Sequence, residues 1–329
     1  MMDGDLSLEL VETHAVTPSE GAPFDDFADA VLAGLSQRPR SIPCRFFYDT
    51  RGAELFEEIT ALPEYYPTRV ETELLRANAA KIAWLVGADR VVVEFGSGSS
   101  RKTSLLLQAL RRVRAYVPID IAGESLDEAA SWLRQRHQDL LIEPLIADFT
   151  NAVTLPPLAR GWNRLGFFSG STIGNLNHQE AVVFLANAAR LLGKDGLLLI
   201  GVDLKKPASI LIPAYNDAKG VTADFNLNLL ARINRELGGN FNLDRFAHDA
   251  IYNEEAGRIE MHLVSRAAQT ASVLHREFRF AEGERIHTEN SHKYSVTQFQ
   301  ALAKAGGWRP VEVWTDADGL FSLHLLRLA

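Results

Sequence analysis

From about residue 88 to 203 the chain alternates short β-branched runs with amphipathic stretches, and this limits its fold more than any other feature. Arg90–Phe95, Ala115–Asp120, Leu140–Ile146, Arg164–Phe168 and Leu197–Val202 read as strands. Between them lie helical periodicity through Leu105, Leu106, Leu110 and Val113, a helix opening with the capping box Ser125-x-x-Glu128, and a helix near 179–192. Strands spaced by helices mean βαβ units and a parallel sheet. Upstream, helices are expected at 24–36 (Phe24, Phe27, Val31 and Leu35 on one face), 52–61 and 67–85.

The rhythm breaks after residue 206. Helical stretches at 207–214 and 222–238 lead into long alternating runs at 257–267 and 271–280, read as an inserted α+β segment. A helix at 295–305 follows, then Val311–Trp314, the turn Asp316–Gly319 and Leu320–Leu326, an antiparallel hairpin. A Rossmann-like α/β sheet ending in such a hairpin is the class I methyltransferase arrangement, not the all-parallel dinucleotide fold.

The 329 residues suggest roughly two domains. A net charge of −8 argues against a nucleic-acid or anionic-membrane binder, and one cysteine, Cys44, excludes an internal disulfide or a Cys-rich zinc site. The acidic start lacks the pattern of a secretory signal, and no apolar stretch is long enough to span a bilayer. A cytoplasmic enzyme is expected. The nine histidines show no H-x-x-x-H or H-E-x-x-H spacing, so no metal is expected.

The strongest local signal is Glu94-Phe-Gly96-Ser-Gly98-Ser-Ser-Arg-Lys102-Thr at a strand-to-helix turn. Glycines there let the backbone approach a ligand, and the following helix offers free N–H groups. A P-loop would need glycine where Arg101 stands. An S-adenosylmethionine loop fits better, because Asp120 ends the next strand 22 residues beyond Gly98, the place of a ribose-binding acid. Asp148, after the third strand, is placed for the adenine amino group. Each acid alone also suits a solvated loop; together, at two strand ends, they favour a site.

Several blocks then resemble one family, the histidine Nα-methyltransferases of ergothioneine biosynthesis. They are Phe47-Tyr48-Asp49, Leu62-Pro-Glu-Tyr65-Tyr66-Pro-Thr-Arg69, the glycine loop, Gly170-Ser-Thr-Ile-Gly-Asn175, Ala214-Tyr215-x-Asp217, Gly220-Val-Thr-Ala223 and Phe225-Asn226. The resemblance implies trimethylation of the α-amine of L-histidine to hercynine, with S-adenosylmethionine as donor. It implies a methyltransferase domain of residues 70–205 with 293–329, a substrate domain of 14–69 with 206–292, and a flexible arm at 1–13. The expected partner is the small-molecule substrate L-histidine, with no nucleic acid or membrane, on a monomer. By the same resemblance Gly96, Lys102, Asp120 and Asp148 line the donor, with Tyr48 shared between donor and substrate. Asn175 and Tyr215 would hold the substrate carboxylate, Tyr65 would line the pocket, Glu289 and Ser291 would bond the imidazole, and Met261 would pack beside it. Phe56 falls at an aromatic near the amine, together with Tyr48 at the reacting centre. Asn216 and Asn290 depart from the family pattern.

These residue types suit the chemistry. A neutral amine must attack a sulfonium methyl and end as a permanent cation, so positioning supplies the rate and aromatic faces accommodate the product. A carboxylate beside the amine would stabilise its unreactive protonated form. Core packing is the competing reading for Phe56 and Tyr66, and a polar loop for Thr288–His292. A relative acting on tyrosine or tryptophan, a nucleotide hydrolase and a silent binding module are the alternatives.

Overall fold

The computed structural model describes residues 23–98 and 101–329. The expected arm at 1–13 and loop residues Ser99 and Ser100 lie outside the described residues, as does the side chain of Phe24.

The chain runs through α1 (Pro23–Ser36), β1 (Arg40–Ser41), α2 (Thr50–Thr60), α3 (Tyr66–Val86), β2 (Arg90–Phe95) and α4 (Arg101–Ala109). Next come β3 (Ala115–Asp120), α5 (Gly123–Arg136), β4 (Leu141–Ile142), β5 (Leu145–Ile146), β6 (Asn163–Phe168), α6 (His178–Leu192) and β7 (Leu197–Asp203). The later segment holds α7 (Ala208–Tyr215), α8 (Val221–Leu237), β8 (Phe246–Asn253), β9 (Arg258–Ser265), β10 (Gln269–Val273), β11 (Arg276–Phe280) and β12 (Arg285–His292). It closes with α9 (Val296–Ala305), β13 (Trp308–Thr315) and β14 (Phe321–Leu328).

The large sheet has the order β13-β14-β7-β6-β2-β3-β4, with β5 also on β3. Its interior pairs are parallel, while β14 runs antiparallel to both β7 and β13, so the C-terminal hairpin forms one edge as expected. In β2, Val92 faces the core shared with α3 and α4, while Val91 and Val93 face the one shared with α6 and α9. Burial on both faces is why this strand is continuously apolar instead of alternating. Trp308 is fully buried and donates its indole N–H to the Leu185 carbonyl at 2.8 Å, pinning β13 to α6.

A smaller sheet has the order β1-β12-β9-β8, and β10 and β11 form a separate hairpin. Its inner face carries Leu263 and Ile286, which belong to the same core as α3.

Two local expectations need correction. Helix α5 begins at Gly123 with Ala122 at its N-cap and no side-chain cap, so Ser125 and Glu128 lie inside the helix. The run at 271–280 is two strands, reversed at Leu274 and His275, which both adopt positive φ with no glycine to mark the turn.

Candidate active site

Tyr48 follows a short turn of 3₁₀ helix, and Asp49 caps α2 by accepting from Gly52 N–H at 2.7 Å and from the Asn228 amide at 2.7 Å. That pairing ties α2 to α8 and brings Tyr48, Phe56 and Phe225 together edge-on, with centroids 5.7 to 6.1 Å apart. Tyr65, at the start of α3, joins Phe56 and Tyr215 at 6.2 Å each.

After β6 the chain turns sharply through Gly170 and Ser171, both at positive φ, into a 3₁₀ turn ending at Asn175. A side chain on Gly174 would meet the His292 carbonyl at 2.8 Å, so glycine allows β12 to pack against this turn. On the other side, Asp217 accepts from Val221 and Thr222 N–H at 3.0 and 2.8 Å, capping α8 and placing Thr222.

Strand β12 contributes most of the chemistry, through a bulge. Its pairing with β9 shifts between His287 and Glu289, leaving Thr288 as the extra residue. Glu289 then lies opposite Met261, and Ser291 opposite Ile259, on the inner face with Ile286. Counting by twos from Ile286 without the bulge would put Asn290 there instead. Asn290 faces outward and bonds His287 at 2.9 Å, so that departure from the family pattern does not reach the pocket.

These elements line a partly open cavity with about 510 Å³ of empty space, open solvent at its mouth included. It is lined by Tyr48, Phe56, Tyr65, Asn175, Tyr215, Met261, Glu289 and Ser291, eight residues singled out in the sequence. Phe56 therefore lines the cavity as well as packing against its neighbours. Sequence reasoning missed Gly170, Ser171, Thr172, Thr222 and Phe225, which also line it; all five stood in blocks already noted but carried no role.

Burial pushes the Glu289 carboxyl up to about 7, opposed by nearby Lys293, and no described side chain donates a hydrogen bond to it. Burial foremost, with Glu289 adding, raises the Tyr48, Tyr65 and Tyr215 hydroxyls well above the usual tyrosine range, so they stay neutral.

Behind the cavity lies a charged cluster the sequence did not suggest. Asp203, at the end of β7, is ion-paired with Lys206 at 2.5 Å and Lys293 at 2.7 Å, and accepts the Tyr66 hydroxyl at 2.8 and 2.9 Å. Burial opposes ionisation of Asp203, but the two lysines outweigh it and hold its pKa low. Tyr66, which the sequence suggested as simple core packing, is thus buried but polar in role. The signal was available: Tyr66 stands inside a block already noted and Lys293 directly follows Thr288–His292.

The candidate donor residues gather at the C-terminal ends of β2, β3 and β5. Gly96 turns at φ +69°, and a side chain on Gly98 would meet open space. Asp120 accepts from Ala122 N–H at 3.1 Å. Burial pushes its carboxyl up, opposed by backbone N–H groups of Ala122, Gly98, Ile121 and Ser97, so Asp120 lies against the backbone of the glycine loop. Asp148 accepts from Thr150 N–H at 2.9 Å and from Asn151 at 3.1 Å, which fix its carboxylate after β5. Lys102 is ion-paired with fully buried Glu71 at 2.6 Å, and Glu71 also accepts Gly170 N–H at 2.8 Å. Gly170 is therefore the wall between the glycine-loop side and the aromatic cavity. An open glycine loop, an acid at the end of β3 and a nearby lysine suit a nucleoside carrying an amino-acid tail.

Glu260, His262 and His287 also meet, on the outer face of the small sheet, with possible ligand atoms within 4.8 Å. Glu260 is already bonded to Arg258 at 2.8 Å and Asn253 at 3.0 Å, which makes this a hydrogen-bonded patch.

A parallel sheet edged by an antiparallel hairpin, with a glycine loop after β2 and an acid ending β3, defines a class I S-adenosylmethionine-dependent methyltransferase. A family model described as "Histidine-specific methyltransferase, SAM-dependent" matches residues 27–328, and the chain belongs to that family. It is 43% identical to the histidine N-alpha-methyltransferase of Mycobacterium tuberculosis (strain CDC 1551 / Oshkosh), over 90% of this chain and 92% of that one. It is 42% identical, with the same coverage, to the histidine N-alpha-methyltransferase of Mycolicibacterium smegmatis. Ergothioneine biosynthesis protein 1 of Neurospora crassa is 30% identical over 88% of this chain, which spans 33% of that longer protein. This membership sets aside the nucleotide-hydrolase reading of the glycine loop.

Proposed function

We propose that this enzyme transfers three methyl groups from S-adenosylmethionine to the α-amine of L-histidine, giving hercynine, the first step of ergothioneine biosynthesis. The observation that carries the reading is Glu289 and Ser291 on one face of β12, lining the aromatic cavity together with Met261, which lies opposite Glu289. A carboxylate accepts an imidazole N–H while a hydroxyl serves the second nitrogen, and Met261 packs on the ring. An indole or phenol has no second ring nitrogen for Ser291.

In this reading Asn175 and Tyr215 donate to the substrate carboxylate and hold its backbone still through successive turnovers. Tyr48, Tyr65 and Phe56 surround the amine with aromatic faces in place of a carboxylate, so the growing cation is accommodated without hydrogen bonds. The bound donor supplies a methyl group on a sulfonium. Asp120 would hold its ribose, Asp148 its adenine, and Gly96 and Lys102 its amino-acid tail. The small sheet with the N-terminal segment (14–69 and 206–292) would serve as the substrate domain on the methyltransferase sheet (70–205 and 293–329). A monomer belongs to the same proposal. Among the described residues no helix is long and apolar enough to cross a membrane; a cytoplasmic location belongs to the same proposal.

Incubating the enzyme and S-adenosylmethionine with each amino acid, followed by mass spectrometry, tests the reading. Histidine should gain one, two and then three methyl groups. Methylation of tyrosine or tryptophan in preference to histidine would overturn it.

A further inference from the structure

Lys293 is fully buried, directly after the end of β12, and its ammonium group has three hydrogens to place. One goes to the Asp203 carboxylate at 2.7 Å. The other two go to the Tyr215 and Ser291 hydroxyl oxygens, each at 2.8 Å. Both hydroxyls line the substrate cavity, whereas Lys293 does not.

We infer that Lys293 is a positioning residue that turns the Tyr215 and Ser291 hydroxyls into hydrogen-bond donors toward the substrate. The inference rests on reading this cavity as the histidine pocket. A hydroxyl that accepts from an ammonium must aim its own proton elsewhere. The two oxygens are 2.8 Å apart, so one proton can pass between them, but both cannot. At least one O–H is therefore left to point at a ligand.

The arrangement selects substrate chemistry. A group meeting the hydroxyl whose proton is left free must accept, as a carboxylate oxygen or an unprotonated ring nitrogen does. Glu289, on the same face, accepts the opposite ring N–H when ionised. The pair thus chooses one imidazole tautomer and disfavours imidazolium, which offers two donors and no acceptor. Lys206 and Tyr66 remain on Asp203 without Lys293, so replacing the lysine does not strand that carboxylate.

A double-mutant cycle tests this. Lys293→Met should raise the KM for histidine about tenfold or more, with a smaller change in kcat and unaltered affinity for S-adenosylhomocysteine by calorimetry. In a Tyr215→Phe/Ser291→Ala background, where neither hydroxyl exists, the same change should cost less than about threefold. An equal loss in both backgrounds, or a loss shared by donor affinity and histidine KM, would overturn the inference. Should Lys293→Met not fold, Lys293→Gln, which keeps an amide donor, carries the same cycle with a smaller expected loss. Wild-type enzyme that fails to methylate histidine would instead refute the pocket reading. Wild-type activity on histidine with no effect of either Lys293 variant would refute the positioning role alone.

Discussion

Glu289 shows how much one side chain depends on its surroundings. Read as part of Thr288–His292 without a family context, it belongs to a polar loop; in the structure it is a buried acid facing an aromatic cavity. Truncating it would leave an imidazole N–H without an acceptor, at about 1–3 kcal/mol, so Glu289→Ala should lower kcat/KM for histidine roughly ten- to hundredfold. The vacated volume and lost charge should leave tryptophan or phenylalanine methylation flat or raised. A uniform loss across the three amino acids would mean that Glu289 supports the fold or the donor instead. The pH dependence follows from the same burial. Burial pushes the free carboxyl up to about 7, so below that pH it is protonated and loses the charge that strengthens its bond to the imidazole N–H. In kcat/KM for histidine an acid limb through about pH 7 is expected, and Glu289→Gln should remove it. A limb unchanged in that variant would belong to the substrate's own imidazole.

At the scale of elements, strand ends place the chemistry. Strand β3 ends at Asp120 beside the glycine loop, so Asp120→Ala should weaken S-adenosylhomocysteine binding by about 1.5–3 kcal/mol while leaving the unfolding temperature nearly unchanged. Calorimetry showing wild-type affinity would remove Asp120 from the donor site. The turn after β6 and the end of α7 carry Asn175 and Tyr215, so Asn175→Ala and Tyr215→Phe should chiefly raise the histidine KM and spare donor affinity. A normal KM in both variants would contradict the carboxylate assignment. Elements with strong periodicity, such as α3, β2 and β7, were legible in the sequence to within a residue or two, and the C-terminal hairpin to within three. Strand β12 was not, because its bulge reverses the alternation midway and its residues are polar for the pocket's sake. The β10–β11 hairpin read as one run because Leu274 and His275 turn without glycine, proline or asparagine.

At the scale of the whole molecule, buried histidines couple folding to pH. His324 lies in the centre of β14 with no exposure, and burial pushes its imidazole down to about 4. A depressed native pKa means the unfolded chain takes up the proton first, so the contribution is present above about pH 6.5 and is lost as pH falls toward 4. Complete loss would amount to roughly 3 kcal/mol for this residue. Urea unfolding between pH 7 and 4 should show the decline, and His324→Gln should flatten it. The same slope in the variant would assign the acid sensitivity to other groups.

The order of strands and helices, the glycine loop and the aromatic and polar residues of the pocket were readable in the chain itself. Local periodicity and residue type act over a few neighbours and survive in one dimension. The tertiary structure decided which of those residues face one another. It set the phase of β12 through an extra residue, brought Gly170 between Glu71 and the cavity, and closed Tyr66, Asp203, Lys206 and Lys293 into one buried cluster from distant parts of the chain. Such pairings depend on register and on desolvated charges finding partners across more than a hundred residues. No local pattern carries that information.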